Sequence, residues 1–511
     1  MRANRAWLLA ALYALALPAA AQSVLTLGRA LEAALAANPD VRIVAVRVER
    51  AAAAVTQAQG IYDPLFTGFA TRSDDRRPIT TAEFALSPLL SSQYSRSSTL
   101  GVGLEQKSPT GISFFGTASA AYAQDRISES IGLPSQATGR IALGVRLPLA
   151  RGSGERFVEA GIRAADREFE AANAERKYAV SLALRETAAA YWDYLARWRQ
   201  LEIAQSGERR TASVVDEIRK LVAADEVPAS ELDLALANAA ERTNSRISAE
   251  QALLDARQTL GRLMGVEPMR LATIPPPGNE FPAAGPAALD SFGNPMLIEE
   301  AEARREDLRA QDLRIAAARE RILVARDNAR PVVDLSLSVG VSGLREGGSL
   351  STYSNPFTFS GSGPSVALTL GAQYPVGNRA ALGQIGQTAA IATDLEIRRT
   401  ALRTEIAAAV TSAADGLRRA AQQLDASRDL VGQYTKALRS ERTKRRVGMS
   451  TLLDIIAVED RLQNTLLSDI ERQRNYAVAV VRIKHELGTL LRPGTDEFEV
   501  REDNFLEFRG Q

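Results

Sequence analysis

The chain has 511 residues, a formal net charge of +1, 45% hydrophobic residues and 24% charged residues, which is an ordinary balance for a protein of about three-domain length. It contains no cysteine and a single histidine, which excludes disulfide scaffolds, thiolate zinc sites, cysteine nucleophiles, lipid attachment to cysteine and sites built on several histidines. The near-zero net charge argues against nucleic acid as the main partner.

The first residues follow the plan of a secretory signal peptide. Arg2 and Arg5 precede the apolar run Ala6 to Leu17, and the small residues Ala19 and Ala21 follow it. This order predicts cleavage after Ala21 and export of the chain. A membrane anchor is the less favoured alternative, because it needs about 20 apolar residues and the run has roughly 12.

Two copies of one plan follow each other in the chain. The segment 38–64 resembles 305–331, since each predicts a helix that stops at a proline and passes into alternating β-sequence. A second correspondence pairs 225–232 with 448–455. The first copy is longer by 44 residues between the two correspondences. The surplus falls in its β-part, where 100–122 predicts an additional hairpin.

A proline-rich stretch joins the copies and is expected to be an external linker, because prolines disfavour helices and inner strands. The predicted divisions are a signal peptide at 1–21, a first repeat at 22–270 with strands at about 64–149 and a helical hairpin at about 151–265, a linker at 271–291, a second repeat at 292–491 with strands at about 331–376 and a helical hairpin at about 378–490, and a C-terminal tail at 492–511.

The β-parts alternate between apolar and polar residues. Val333, Leu335 and Leu337 fall on one face of a predicted strand, opposite polar and small residues. This alternation is typical both of a membrane-spanning barrel and of a half-buried sandwich, so it leaves the two alternatives open. Segments 72–97 and 343–363, rich in Ser, Thr, Asp and Gly, are predicted to be outward-facing loops.

The predicted helices are too long for a compact domain. No proline interrupts the chain from about Gly154 to Ala224, which predicts roughly 105 Å of helix in one segment or two. Each long helix is expected to meet a second helix at a short turn, near 225–228 and near 447–450. Heptad spacing indicates coiled-coil packing. The heptad positions in the second repeat are Leu417, Leu424, Val431 and Leu438.

With these features the sequence resembles the TolC family of outer membrane efflux proteins over nearly the whole mature chain. The resemblance rests on the signal, the tandem repeat, the helix-to-strand junction at 62–64 (YDP), the strand-to-helix junction at 147–154 (LPLARGSG), and 447–455 (VGMSTLLDI) closing at Leu487 and Gly488. It implies an α+β fold. Long antiparallel coiled-coil helical hairpins would form a periplasmic α-barrel, and strands would form a shared trimeric transmembrane β-barrel. The family pattern has two strands per repeat, so the additional hairpin leaves four and six strands per chain both open.

The resemblance also implies a function. It predicts a non-lipidated homotrimer in the outer membrane of a Gram-negative bacterium, extending into the periplasm. There it would be the passive exit duct of a tripartite efflux or type I secretion system, working with a periplasmic adaptor protein and an inner-membrane pump. Outer-membrane lipid is an expected partner; nucleic acid, cofactors and enzymatic activity are not expected. The alternative is a non-conducting coiled-coil envelope spacer or adhesin. A hydrolase is disfavoured, because it needs a nucleophile and a base that converge in a cleft.

Three acidic residues are candidates for the pore aperture. Asp454 stands where the resemblance implies an acidic residue facing the pore, and Glu231 takes the matching place in the first repeat, with Asp233 beside it. Rings of carboxylates in a constriction would attract cations. The alternative is that acids near a helix start only complement the helix dipole.

The resemblance assigns adaptor docking to the tip of the second helical hairpin. The candidate docking residues are Val447, Gly448, Met449, Ser450 and Thr451. Gly448 is expected to supply a positive φ in the turn. The alternative is a plain hairpin turn.

Four further residues carry expectations at or near the helix ends. Asp225 takes the place of glycine in the first tip, which suggests a turn of different shape. Arg445 and Arg446 are candidate gating links, because the usual acidic and basic positions of the family hold Ala457 and Ser450. His485, between Lys484 and Glu486, is predicted to lie on the surface.

Overall fold

A computed structural model describes residues 24–86, 88–283, 294–347, 363–447, 449–491, 498 and 500–506. The predicted signal peptide, Gly448 and parts of the linker and tail lie outside the described residues. The α-helices are α1 (Leu27–Ala37), α2 (Pro39–Gln59), α3 (Thr81–Leu86), α4 (Arg126–Ser130), α5 (Glu155–Val158), α6 (Ala160–Ala223), α7 (Ala229–Leu263), α8 (Asn294–Arg304), α9 (Glu306–Asn328), α10 (Arg379–Arg446), α11 (Leu452–Glu486) and α12 (Asp503–Leu506). The strands are β1 (Leu65–Pro78), β2 (Ser92–Lys107), β3 (Ser113–Asp125), β4 (Gln136–Pro148), β5 (Val332–Glu346) and β6 (Gly363–Gln373). The predicted α+β class with long helices is confirmed.

The strands form one antiparallel sheet in chain order, from β1 at one edge to β6 at the other. The described residues therefore supply six strands, which decides between the two alternatives that the sequence left open. The additional hairpin is β2 and β3, joined by a short turn in which the Ser108 backbone N–H donates to the carbonyl of Ile112 at 2.8 Å.

Parts of the two segments predicted to be loops belong to strands instead. Residues 72–78 and 92–97 extend β1 and β2, and 343–346 extend β5. Their polar composition suggested loops, but cross-strand side chains hold the extension: the Arg96 guanidinium lies 2.8 Å from the Asp74 carboxylate. Opposite charges on facing strands stabilise a ladder without any apolar burial.

The chain divides into two compact units. The helical unit, made from 1–46, 174–308 and 401–511, holds the helical hairpins and the short helices α1 and α8. The sheet unit, made from 47–173 and 309–400, holds the six strands. Within the described residues, no helix combines the length and the apolar character that crossing a lipid bilayer requires.

The helices α6 and α10 run for 64 and 68 residues without a break, which is roughly 100 Å each. In the helical unit they are covered by two apolar clusters that follow the same plan in the two repeats. The first joins α1, α6 and the end of α7, with Tyr191 and Trp192 fully buried at its centre. The second joins α8, α10 and α11 around Ile406 and Val410. Each repeat thus buries its short helix against its own long hairpin.

Two glycines mark the same point in both repeats. Gly265 and Gly488 follow α7 and α11, and both have φ of 68°. A Cβ on Gly265 would collide with the carbonyl of Ala37 at the end of α1, and one on Gly488 would lie 3.0 Å from the carbonyl of Arg304 at the end of α8. Since only glycine combines that φ with that approach, these positions fix how each hairpin meets its short helix.

The linker between the repeats is packed where it is described, which its predicted external position did not suggest. The Leu25 N–H donates to the carbonyl of Pro276 at 2.9 Å, and the Gly278 N–H donates to the carbonyl of Leu25 at 2.9 Å. The buried Tyr191 hydroxyl lies 2.6 Å from the Asn279 carboxamide oxygen. Burial raises the pKa of Tyr191 to about 12. The prolines are compatible with this position because the backbone is bound through their carbonyls, which proline retains.

His485 is buried, with 2% exposure, so its predicted surface position is wrong. Its Nδ1 lies 2.9 Å from the Ser181 hydroxyl of α6, and its ring lies 5.4 Å from that of Tyr178. The neighbouring Glu486 is also buried and accepts from Arg305 at 2.7 Å. Charged neighbours indicated an exposed position, but an ion pair allowed this turn to be buried.

The burial of His485 predicts a pH-dependent stability. Burial, with the nearby Arg185 and Arg305 as further causes, lowers the pKa of His485 from 6.5 to about 3. The unfolded chain therefore binds a proton that the folded chain does not, and the free energy of unfolding falls as pH drops from about 6.5 toward about 3. The loss is at most about 1.4 kcal/mol per pH unit.

We expect His485→Gln to reduce this dependence between pH 6.5 and pH 5, where few carboxylates titrate. Thermal unfolding of the purified protein in detergent at both pH values measures it, with Glu202→Gln on the exposed side of α6 as the control. Equal pH dependence in wild type and His485→Gln would contradict the assignment.

Candidate functional site

The tip of the second helical hairpin lies between α10 and α11. Thr451 caps α11, and its hydroxyl accepts the Asp454 N–H at 3.2 Å while the Asp454 carboxylate accepts the Thr451 N–H at 2.9 Å. Asp454 is exposed, and the hydroxyl and N–H of Thr451 lower its pKa. The structure thus places Asp454 in a capping box, ionised and open to solvent.

The apolar side chains of this tip are exposed. Val447 and Met449 are 65% and 72% exposed, and Leu453 on the first turn of α11 is 58% exposed. Ser450 is half-buried, and its hydroxyl lies 3.2 Å from the Glu441 carboxylate of α10. Three exposed apolar side chains therefore lie close together in the sequence around this turn.

The first tip repeats the turn with a different residue. Asp225 has φ of 58°, and the Glu226 N–H donates to the carbonyl of Leu221 at 2.9 Å. In the second tip the Met449 N–H donates to the carbonyl of Lys444 at 2.9 Å, at the matching place of the repeat. The two tips therefore share this turn hydrogen bond, and the expected difference in turn shape does not affect it. Aspartate fits here because it tolerates the left-handed conformation that glycine favours.

The two tips differ at the helix start instead. Pro228 is the N-cap of α7 and makes no side-chain cap hydrogen bond, whereas Thr451 makes one. Glu231 is half-buried on the first turn of α7, and Asp233 is exposed. Glu231 and Asp454 occupy the same position in the two repeats, but only Asp454 is held by a described capping box.

Arg445 and Arg446 end α10. Within the part of the chain that the structure describes, neither lies within ion-pair distance of a carboxylate, so their role as gating links stays a prediction. The ion pairs found there use neighbouring residues. Arg442 of α10 lies 2.6 Å from Glu459 of α11, and Lys444 lies 2.9 Å from Glu441.

A further ion pair connects the two hairpins, from Arg242 of α7 to Asp460 of α11. Ile456 of α11 packs beside it against the cluster of Val215, Ile218 and Ala235 on α6 and α7. None of these four charged residues, Arg442, Glu459, Arg242 and Asp460, was predicted from the sequence. The first two could have been found by counting outward from the turn, since residues on two antiparallel helices face each other at similar distances from it.

A polar cavity of about 480 Å³ lies among α6, α7 and α11. Its charged lining residues are Arg197, Glu241, Arg242, Asp460 and Glu471. Both signs are interspersed and paired, as in the 3.3 Å contact of Arg197 with Glu471. Among the described residues no group of three or more His, Asp or Glu side chains could hold a metal ion.

One face of the sheet is apolar and exposed. A single row of this face crosses all six strands, and every member is paired with the next by the strand register. The row is Phe66, Leu104, Gly116, Leu143, Val339 and Val366. Leu143 and Val366 are 68% and 69% exposed. A soluble monomer rarely leaves so continuous an apolar face uncovered.

The opposite face is lined mainly by small and polar residues, and the rings of Phe69 and Phe115 also lie on it. Thr117 is paired with Ala142, Gly144 with Ser338, and Ser336 with Thr369. The Arg146 guanidinium lies 2.8 Å from the Glu105 carboxylate on this face. The two faces of the sheet therefore differ in polarity, and this alternation is typical of membrane-spanning strands.

Comparisons with solved structures show the class of fold. The outer-membrane channel OprN superposes with a TM-score of 0.67 at 16% identity, over 91% of this chain and 90% of that chain. The CmeC outer membrane channel of Campylobacter jejuni superposes with a TM-score of 0.68 at 13% identity, over 92% and 87%. The outer membrane protein VceC of Vibrio cholerae superposes with a TM-score of 0.64 at 17% identity, over 90% and 96%. The fold is thus that of outer-membrane channels.

The sequence supports the same family in its second repeat. Residues 297–489 match the model of the outer membrane efflux protein family. A sequence search of curated proteins finds no significant match. The resemblance to the TolC family is confirmed by the family match over residues 297–489 and by the shared fold.

The capping difference between the tips predicts different responses to substitution. Thr451→Ala removes the acceptor of the Asp454 N–H, which should cost about 1 kcal/mol of helix stability. We expect hydrogen exchange of the first amides of α11 to become several-fold faster. Ser230→Ala, at the start of α7 where the structure shows no side-chain cap, is the matched control. Exchange that is unchanged in Thr451→Ala would show that the cap does not hold this turn.

Proposed function

We propose that the protein is the outer-membrane exit duct of a tripartite efflux or type I secretion system and conducts its substrates passively. The observation that carries this proposal is the sheet, with a continuous exposed apolar face, a polar face and two free edges. The family match and the fold support it. Long helical hairpins with exposed turns supply the part that would meet partners in the periplasm.

A homotrimer satisfies the requirements of such a sheet. In lipid every unpaired backbone N–H or carbonyl costs several kcal/mol, so strand edges have to be paired. Three chains that pair β6 of one with β1 of the next would close a ring and leave no edge. The outer membrane is the expected location, with lipid against the apolar face and no part for nucleic acid or a cofactor.

Two measurements separate the proposal from its alternative. An envelope spacer or adhesin would not conduct and would not change its migration on heating. We expect the purified protein to migrate as a heat-modifiable trimer on gels and to give single-channel currents in planar bilayers. A soluble monomer that carries no current would overturn the proposal.

The helix tips are proposed as the gate and the docking surface. Val447, Met449, Ser450 and Thr451, with Gly448 between them, would meet a periplasmic adaptor protein that links the duct to an inner-membrane pump. The exposure of Val447 and Met449 supports this role. Substrates would be loaded by the pump and would leave without chemical change.

Asp454, Glu231 and Asp233 are proposed to line the aperture. Three copies would place rings of carboxylates around one axis, and like charges held close attract multivalent cations. The lowered pKa of Asp454 keeps it ionised at neutral pH, which supports this role. Capping of α11 by Asp454 does not compete with the role, because its carboxylate remains exposed.

Asp454→Ala should weaken the block of the current by trivalent cations in planar bilayers at least several-fold. Asp429→Ala removes an exposed carboxylate elsewhere on α10 and is the matched control. A block that is unchanged in Asp454→Ala would refute the aperture assignment.

The ion pairs Arg242 to Asp460 and Arg442 to Glu459 are proposed to hold the tips closed, while Arg445 and Arg446 stay candidates for links between chains. Movement of long packed helices by hinge and shear would open the aperture once the pairs are broken. Arg242→Ala combined with Arg442→Ala should therefore raise the single-channel conductance several-fold. Arg219→Ala breaks a pair that lies within α6 alone and should leave the conductance unchanged. A double variant that conducts like wild type would show that these pairs do not gate.

A further inference from the structure

The first repeat supplies four strands and the second supplies two. In the second repeat the chain enters β5 from α9, returns through β6 and continues into α10. In the first repeat β1 and β4 take the places of β5 and β6, and β2 with β3 lies between them. The hairpin β2–β3 is therefore an insertion into the repeated plan. Such an insertion could be an external flap, a plug or part of the wall.

The inserted strands are as long as the others. β2 has 16 residues and β3 has 13, compared with 14 in β1 and 13 in β4. A strand that crosses a bilayer at a tilt needs about 9–11 residues. β2 and β3 are thus long enough to cross, which a flap or a short plug would not require.

The inserted hairpin continues both faces of the sheet in register. On the apolar face Leu104 of β2 is paired with Phe66 of β1, and Gly116 of β3 with Leu143 of β4. Leu100, Val102 and Leu104 are about half exposed, at 54%, 48% and 53%. The exposed apolar band therefore continues through β2, and β3 continues this face with the exposed Phe114 and the small residues Gly116, Ala118 and Ala120. A plug inside a wet lumen would not keep this band.

The polar face ties the insertion to the strands on both sides. The ring of Phe69 on β1 covers Gly101 on β2, and the ring of Phe115 on β3 covers Gly144 on β4, where a Cβ could not be placed. Glu105 on β2 reaches across β3 to Arg146 on β4, 2.8 Å away. The Arg146 guanidinium also lies over the Phe115 ring at 5.7 Å. Aromatic cover of a cross-strand glycine is a device that fixes register.

Among the described residues, no strand pairs with the outer edge of β1 or of β6, so both edges are open to copies of the same chain. β1 and β6 are exposed along nearly their whole length, unlike the strands between them. Because six antiparallel strands place β1 and β6 in opposite directions, β6 of one copy meets β1 of the next as a further antiparallel pair. A head-to-tail contact of this kind closes into a ring of identical copies.

We propose that the β2–β3 hairpin is part of the membrane wall, so that each chain contributes six strands and three chains close a ring of eighteen. The proposal rests on the proposed function, which supplies the membrane and the three copies. Barrel diameter grows roughly linearly with strand number, so this ring is about 1.5 times as wide as one of twelve strands. The insertion therefore sets a wider outer opening, suited to bulkier cargo than a four-strand plan would pass.

Single-cysteine variants can test directly whether β3 belongs to the membrane wall, because the chain has no cysteine of its own. On β3, Thr117→Cys and Ser119→Cys lie on the polar face and Ala118→Cys and Ala120→Cys on the apolar face. The matched controls on β5 are Ser336→Cys and Ser338→Cys against Leu337→Cys and Val339→Cys. Purified trimers in proteoliposomes are treated with a charged, membrane-impermeant maleimide, and the labelling rate is measured at each position.

We expect the polar-face cysteines on both strands to react at least tenfold faster than the apolar-face ones. Equal rates at all four β3 positions, with alternation kept on β5, would place the hairpin outside the wall and overturn the inference while leaving the proposed function intact. Loss of alternation on β5 as well would overturn the proposed function.

The width of the outer opening is tested by removing the β2–β3 insertion. Deletion of residues 79–135, with an Asn-Gly turn joining β1 to β4, leaves a four-strand antiparallel plan. In a Ser338→Cys background, maleimide-polyethylene glycols of increasing mass report the largest polymer that enters. We expect a lower mass limit in the deletion trimer than in the full chain. The same limit in both would show that the hairpin does not widen the opening, and if the deletion fails to form trimers the β3 labelling pattern decides alone.

Discussion

The free edges of the six-stranded sheet are the constraint on which the rest of the structure depends. A soluble sheet protects its edges with charges, prolines or short strands. The edge strand β6 reads Gly-Pro-Ser-Val-Ala-Leu-Thr-Leu-Gly-Ala-Gln, with its proline only at the second position and no charge. The first half of β1, Leu-Phe-Thr-Gly-Phe-Ala, is equally unprotected. Edge strands without such protection are expected to pair with another strand, and a second copy of the chain can supply that strand.

The helical unit meets a different requirement, which is to hold very long helices with little apolar surface. Much of the buried surface of α6 and α10 is alanine, as at Ala183, Ala188 and Ala413, so adjacent helices can approach closely. Short helices and a glycine turn lock the ends: Asn38 donates to the carbonyl of Leu263 at 2.8 Å in the first repeat, and Arg305 binds Glu486 at 2.7 Å in the second. The two repeats use different side chains for the same task, while both have a glycine at the same place.

Much of this organisation could be predicted from the sequence because it depends on spacing. The paired glycines, the seven-residue steps of α10 and the alternation after Pro331 each follow from backbone geometry, and the additional hairpin showed the same alternation. The burial of His485 and the strand conformation of residues 72–78 could not be predicted from spacing. In both, charged residues form partners that are distant in sequence, Arg305 with Glu486 and Asp74 with Arg96, and composition alone does not show such pairs.

The same distinction holds for the candidate site, where some residues could be predicted from local sequence and others only from tertiary packing. The positions of Asp454 and Glu231 at the helix starts followed from the repeat, whereas the ion pair of Arg242 with Asp460 required the packing of α11 against α7. Arg242 and Asp460 lie on different repeats, and no local pattern connects them. Local sequence therefore identified the tips, and tertiary packing determined which side chains join them.

The insertion in the first repeat shows how such a fold can change its width while the helices stay as they are. A hairpin adds two strands, so β4 keeps the direction that it would have as the partner of β1, and the chain still returns to the end from which it entered. A single added strand would reverse β4 and send α6 from the opposite end. The ion pair from Glu105 to Arg146 and the Phe–Gly pairs on either side make the added strands continuous with the original ones. Insertions in pairs are thus the one change in strand number that this topology accepts without a new connection to the helical hairpins.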